Sequence, residues 1–379
     1  MKIVIAIDSF KESLTSLQAG RNVAAAARQV FPNAKITVLP LADGGEGTVD
    51  AVVDSLHGEK RRVRVIGPLG KPVNALYGIL ENGRTAVVEM ASAAGLALVP
   101  EEQRNPLYTT TYGVGELIRD ALDTGCRHFM IGIGGSATND GGMGMLQALG
   151  CKFLDENGDP VGMLGADLMR VSDIDSTGLD PRLAVSTLQV ACDVSNPLCG
   201  PNGASAVFGP QKGADAGTVQ LLDEALSRLA GIVREKYGIA TENMPGSGAA
   251  GGLGYALVSF CGAKLQSGAE VILNNVGFTT HAQDADLVIT GEGRLDAQTA
   301  MGKAPATVAR MAKRFGALVV AFCGSAAPDA EALNAEGIDA YFPILQAPCT
   351  LEHALHPENA AHNLFLTALQ VFSLLRAAK

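Results

Sequence analysis

The stretch MKIVIAIDSFKESLTSLQAGRNVAAAARQVFPNAKITVLPL, residues 1–41, decides the fold class. Residues 3–7 form an unbroken apolar run, Ile-Val-Ile-Ala-Ile. A strand with one wet face alternates; a continuous run fits a parallel strand covered on both faces. Residues 16–31 follow as an Ala-rich helix that stops at Pro32, and residues 35–39 form a second strand. Val49, Val52, Val53 and Leu56 then give the i, i+3, i+4, i+7 stripe of another helix. A β-α-β-α rhythm of this kind predicts a doubly wound α/β domain.

Working outward, the rhythm breaks after Gly58. Residues 62–65, 73–80 and 85–90 read as short strands, the last two joined through the turn Glu81-Asn82-Gly83, and predict an antiparallel meander. Helices return at 114–122, 142–149 and 219–236, so this middle portion reads as mixed α+β. From about Asp284 the α/β rhythm resumes, with strands at 287–290, 318–323 and 340–344 and helices at 305–315 and near the C-terminus. We therefore expect one domain made of residues 1–58 and 284–379, interrupted by an inserted domain of residues 59–283.

Composition narrows the function. Hydrophobic residues make up 47% and charged residues 18%, which excludes extended disorder. The net charge of −10 without a basic run argues against nucleic-acid or anionic-membrane partners. Seven cysteines, an odd number with no C-x-x-C, read as reduced thiols of a cytoplasmic protein. The apolar run cut off by Asp8 is too short for a signal-peptide core, and no run approaches the ~18 residues of a membrane span.

Four carboxylates follow predicted strands: Asp8, Asp43, Asp193 and Glu292. In open α/β sheets the ligand crevice lies outside the carboxyl ends of the strands, and acidic groups there suit a cation or a hydroxyl proton. The loop GIGGSATNDGG, residues 132–142, lies between a predicted strand and a helix. Its small residues allow consecutive N–H groups to line an anion, with the helix N-terminus adding to the field. The same loop matches the dinucleotide fingerprint G-x-G-x-x-A at 132–137, with Asp155 at the expected distance, so an NAD-dependent dehydrogenase is a rival. Against it, Asn139-Asp140-Gly141-Gly142 delays the helix. No G-x-x-x-x-G-K-[ST] and no G-x-S-x-G occurs, which excludes a P-loop NTPase and gives a hydrolase triad no anchor. His353, His356 and His362 read as a solvated segment rather than a metal site.

The chain carries DSFKES at 8–13, LADGGEGT at 41–48, GIGGSATNDGG at 132–142, ACDV at 191–194, GPNGASAVFGPQKG at 200–213, GSGAAGGLG at 246–254 and TGEGRLD at 290–296. Taken together, these motifs resemble the bacterial glycerate kinase family across the whole chain. Ile7 departs from the family's usual Pro before Asp-Ser-Phe-Lys. The resemblance implies a flavodoxin/Rossmann-like domain interrupted by the inserted domain, with the active site in the cleft between them. It also implies ATP-dependent phosphorylation of D-glycerate to the 2-phosphate, with 3-kinase regiochemistry as the alternative. Phosphoryl transfer requires positioning and charge neutralisation, hence Mg²⁺ with one or two carboxylates. The expected metal ligands are Asp43, Asp140 and Glu292. Gly134, Gly135, Ser136, Thr138, Asn139, Lys212, Gly291 and Gly293 are expected around ATP or the glycerate carboxylate. Asp193 is expected as the base, Asp8 is its runner-up, and Lys11 assists. A homo-oligomer is left open.

Overall fold

The computed structural model describes residues 1–41, 47–80 and 83–378, with backbone alone for 54 and 55. The turn at Glu81 and Asn82 and the candidate ligand Asp43 lie outside the described residues. The strands are β1 (Lys2–Ile5), β2 (Lys35–Val38), β3 (Glu59–Ile66), β4 (Pro72–Ile79), β5 (Thr85–Glu89), β6 (His128–Gly132) and β7 (Lys152–Leu154). They continue as β8 (Asp173–Asp175), β9 (Thr187–Ala191), β10 (Lys264–Gln266), β11 (Leu287–Leu295), β12 (Leu318–Ala326) and β13 (Ala340–Pro343). The chain divides into two compact units. One is Met1–Asp43, Asp54–Leu56 and Ser267–Lys379; the other is Gly44–Val53 and His57–Gln266.

In the first unit the sheet runs β13-β12-β11-β1-β2, with every pairing parallel. Ile3, Ile5, Ile7, Leu287, Ile289, Val320 and Phe322 share one core with helices Ser16–Val30 and Pro357–Ala377. The intervening Val4, Val288, Val319 and Ala321 are as deeply buried and belong to the opposite face, where helix Ala304–Lys313 packs on β11 and β12. This double coverage is why the run at 3–7 does not alternate. Helix Ser16–Val30 starts in a capping box: Gln18 N–H donates to Thr15 Oγ1 (3.3 Å) and Thr15 N–H to Gln18 Oε1 (2.9 Å). Ser16 Oγ donates to Ile7 O (2.7 Å) and accepts from Leu41 N–H (2.9 Å), tying together the segments that leave β1 and β2.

The second unit holds a six-stranded sheet in the order β10-β9-β6-β5-β4-β3. Strands β3, β4 and β5 form the antiparallel meander, while β5, β6, β9 and β10 run parallel. Register aligns the carboxyl ends of these parallel strands: Glu89 is opposite Gly132, which is opposite Ala191, which is opposite Gln266. Their loops leave from a common edge.

Two expectations change. Strand β7 does not return parallel to β6 but pairs antiparallel with β8 in a separate small sheet, and Asp155 caps a turn, accepting from Asn157 and Asp159 N–H. The strand that leads to Asp155 therefore lies outside the parallel sheet where a dinucleotide fingerprint needs it, and the dehydrogenase rival loses its context. Lys60, Arg61, Arg62 and Arg64 also concentrate on edge strand β3, a short basic run that the charge reading passed over. Arg61 pairs with Asp120 and Lys60 with Asp50, both at 2.6 Å. Charge on an exposed strand blocks pairing with other chains.

Candidate active site

The loop at 132–142 leaves β6 at the shared carboxyl edge, and two buried threonines, Thr109 and Thr111, brace it. Thr109 Oγ1 donates to Ala137 O (3.1 Å), and Thr111 donates through both N–H (2.8 Å) and Oγ1 (2.7 Å) to Asp140 Oδ2. Asp140 also accepts from Gly142 N–H (3.0 Å) and Gly144 N–H (3.3 Å), and Thr111 Oγ1 accepts from Met145 N–H (2.9 Å). Asp140 is fully buried, and that burial pushes its carboxyl up despite the four donors. The sequence led us to expect that helix N-terminus to face a ligand. The helix is only Met143–Ala148, and its leading N–H groups are already taken by Asp140 and Thr111. The carboxyl expected among the metal ligands thus acts inside the loop, as the acceptor at the start of the helix.

What remains outward-facing is narrower than residues 134–139. Gly134 and Gly135 are exposed and Ser136 partly so, and their N–H groups meet no acceptor among the described residues. Gly135 O is turned away to accept from Leu96 N–H (2.8 Å), so the outer side of this turn is rich in donors. Gly135 sits at φ +71°, which glycine adopts at no steric cost. Thr138 and Asn139 lie underneath, fully buried, with Thr138 Oγ1 and Asn139 Oδ1 unpartnered among the described residues. Each such atom costs ~1–3 kcal/mol, so the loop is held in this shape by its neighbours against its own preference.

The neighbours are identifiable. Segment 200–213 delivers two side chains. Ser205, on helix Ala204–Phe208, accepts from Asn139 Nδ2 (3.0 Å), and Lys212, on the 3₁₀ turn Pro210–Lys212, donates to Ser136 Oγ (2.8 Å) and Thr138 O (2.7 Å). Lys212 is 2% exposed and forms no ion pair among the described residues. Burial lowers its ammonium to about 7, opposed by the charge of Asp140. Segment 246–254 presses backbone against backbone: Gly251 O accepts from Gly141 N–H (2.9 Å), and a Cβ on Gly251 would lie 2.1 Å from Thr138 O. Ala250, Gly251 and Gly252 are all left-handed, a turn that a helix reading of this stretch would miss. Asp193 is exposed just beyond β9, on the same edge as the loop.

In the first unit, β11 extends past the expected end at Thr290 to Leu295, so Glu292 stands within the strand, paired across to Cys323 of β12. Gly291 is required there: at φ +152°, a Cβ would meet Phe322 O at 1.9 Å. Gly293 lies against the backbone of Phe10 and Lys11, its Cβ position 3.5 Å from Lys11 N. Glu292 Oε1 accepts from Thr299 Oγ1 (2.6 Å). Its carboxyl is pushed up chiefly by burial and by Asp296, with Thr299, Lys303 and Lys11 acting against the rise. Asp8 is buried, with Oδ1 accepting from Ser9 N–H (2.7 Å), and Lys11 is exposed. His353, His356 and His362 are exposed, and no cluster of three or more His, Cys, Asp or Glu is present among the described residues.

The pattern of the whole chain matches the model of the glycerate kinase family over residues 3–376. The chain belongs to the glycerate kinase family. Among its curated relatives are a glycerate kinase of Halalkalibacterium halodurans, 50% identical over 96% of this chain and 97% of the relative, and a glycerate 2-kinase of Escherichia coli, 49% identical over 93% of each. The crystal structure of a Salmonella typhimurium LT2 protein described as glycerate kinase 2 superposes with a TM-score of 0.91 at 49% identity, covering 100% of this chain and 99% of that one. Within a glycerate kinase, the residues that sequence reasoning missed are Thr109, Thr111, Ser205 and Thr299. The run Thr109-Thr110-Thr111 was visible as a cluster of hydroxyls, but nothing in its spacing said what it would hold.

Proposed function

We propose that the donor-rich turn 134–136 receives an anionic oxygen in the family's reaction, transfer of the γ-phosphoryl of ATP to D-glycerate. This chain is an enzyme that phosphorylates glycerate. The observation that carries the site reading is the conjunction of outward N–H groups at Gly134, Gly135 and Ser136 with the buried cation Lys212 behind them. Donors fixed before the ligand arrives stabilise phosphoryl or carboxylate charge without reorganisation. Asp193, exposed at the same sheet edge, takes the proton of the attacking hydroxyl; Asp8 is the runner-up. Phosphorylation falls on the 2-hydroxyl, as the name of the Escherichia coli relative supports.

The first unit carries candidate residues of its own. Its strand order β2-β1-β11-β12-β13 corresponds to the flavodoxin-like 2-1-3-4-5, which supports a flavodoxin-like domain built from the two ends of the chain, expected as residues 1–58 and 284–379 around an insertion of residues 59–283. The compact units differ from those bounds in grouping 44–53 with the second unit and 267–283 with the first. Gly291 and Gly293, with Lys11, approach the nucleotide. Mg²⁺ needs only one or two carboxylates beside the nucleotide phosphates. Glu292 is the described residue suited to hold it, with Asp43 as its companion, and Asp140 serves the loop. When bound, the metal would neutralise phosphoryl charge. All seven cysteines are free, which supports a reducing, cytoplasmic setting, and no helix among the described residues is long and apolar enough to cross a membrane.

The test is ADP release by the purified protein with D-glycerate and ATP, with and without chelator. Chelation should abolish turnover, NAD⁺ should not be reduced, and phosphorus NMR should show the 2-phosphate. Turnover indifferent to chelator, or a dominant 3-phosphate signal, would overturn the corresponding part.

A further inference from the structure

Lys212 was expected to touch a ligand, yet only 2% of it is exposed. Its ammonium ends on two neutral acceptors, Ser136 Oγ at 2.8 Å and Thr138 O at 2.7 Å. Asp140, the charged group acting on it, is itself saturated by Thr111, Gly142 and Gly144. A buried cation in such a setting is costly, which points to a role that uses its charge. The hydroxyl of Ser136 defines that role. A hydroxyl that accepts from an ammonium cannot aim its own hydrogen back at it. No acceptor for that hydrogen is found among the described residues, and Ser136 is partly exposed beside the N–H groups of Gly134 and Gly135.

We infer that Lys212 is a positioning residue that acts through Ser136. It holds Oγ as an acceptor on the inside, so that the Ser136 O–H becomes a fixed outward donor to an anionic oxygen, phosphoryl or carboxylate, on the outer face of the turn. This rests on the anion-binding reading of the turn given above. Donor chains polarise one another, so the Ser136 O–H is a stronger donor while Lys212 is charged. The lowering of Lys212 to about 7 puts that charge under the control of pH near neutrality, and a bound anion favours the charged form.

The experiment is a double-mutant cycle with Ser136→Ala, Lys212→Met and the double variant, reading KM for ATP, KM for D-glycerate, kcat and Tm. Each single variant should raise the same KM by about 10-fold or more, leaving the other KM and kcat within about threefold, and the double variant should be no worse than the worse single. A rise in the ATP KM assigns the phosphoryl group, and a rise in the glycerate KM assigns the carboxylate. Multiplicative effects, an equal rise in both KM values, or a silent Lys212→Met would overturn the inference. Should Lys212→Met fail to fold, Ser136→Ala decides alone. The affected KM should rise between pH 6 and 8.5 in the wild type and stay flat in the variant; equal pH dependence in both would overturn the proposal. If the wild-type protein does not turn over glycerate, the kinase reading has failed independently. Calorimetric titration with sodium sulfate then tests the pair: binding should weaken with rising pH in the wild type and lose that dependence in Ser136→Ala, and sulfate binding that is absent or unaffected by the substitution would overturn it.

Discussion

Asp193 and Glu292 carry the same functional group in opposite settings. Asp193 stands exposed beyond β9, and Asn fills the same volume there. Asp193→Asn should therefore keep the wild-type Tm while losing at least ~100-fold in kcat, the usual cost of a positioned base. A near-normal kcat would pass the role to Asp8. Glu292 is partly buried and its carboxyl is raised, so it gains its proton at a higher pH than an ordinary carboxylate. If it must be ionised to hold Mg²⁺, activity should fall early on the acid side, and added Mg²⁺ should move that limb to lower pH by competing with the proton. An acid limb unmoved by Mg²⁺ would remove Glu292 from the metal. Lys212 adds a stability effect with a definite sign. Its folded value of about 7 lies below the ordinary 10.5, so between those values the unfolded chain binds more protons and stability rises with pH. Lys212→Met should flatten that rise in denaturant titrations from pH 7 to 10.

At the scale of elements, the site depends on backbones that approach too closely for side chains. Gly251→Ala asks for a left-handed alanine, ~1–2 kcal/mol by itself, and drives its Cβ to 2.1 Å from Thr138 O. Gly238, at φ +68° with nothing within 4 Å of its Cβ position, pays only the backbone part. Gly251→Ala should therefore lower Tm clearly more than Gly238→Ala and raise KM with it; equal losses would mean the contact carries no weight. Elements also show where the sequence was legible. The unbroken run at 3–7 and the alternation at 62–65 have short periods and local causes, and both strands are found. The end of β11 was not legible, because β12 holds it to Leu295 by pairing across a crossover. The left-handed turn at 250–252 is likewise set by the loop that it packs against, and no periodicity records it.

For the whole molecule, each unit holds a hydrophobic cluster of its own among the described residues. One draws on residues between Val63 and Leu265, and the other on the residues flanking them in sequence. Units that each bury a cluster of their own can unfold separately, so scanning calorimetry should resolve more than one transition. A single transition with equal calorimetric and van't Hoff enthalpies would show that the units unfold as one. The sequence by itself determined the α/β class, the meander, the donor-rich loop and the family, because each rests on residue types at short spacing. Only the tertiary structure decided that Asp140 caps its own helix, that Lys212 is buried behind Ser136 and that Glu292 lies within a strand. Those roles depend on Thr111, Thr138 and Thr299, partners brought together by packing, which sequence spacing cannot report.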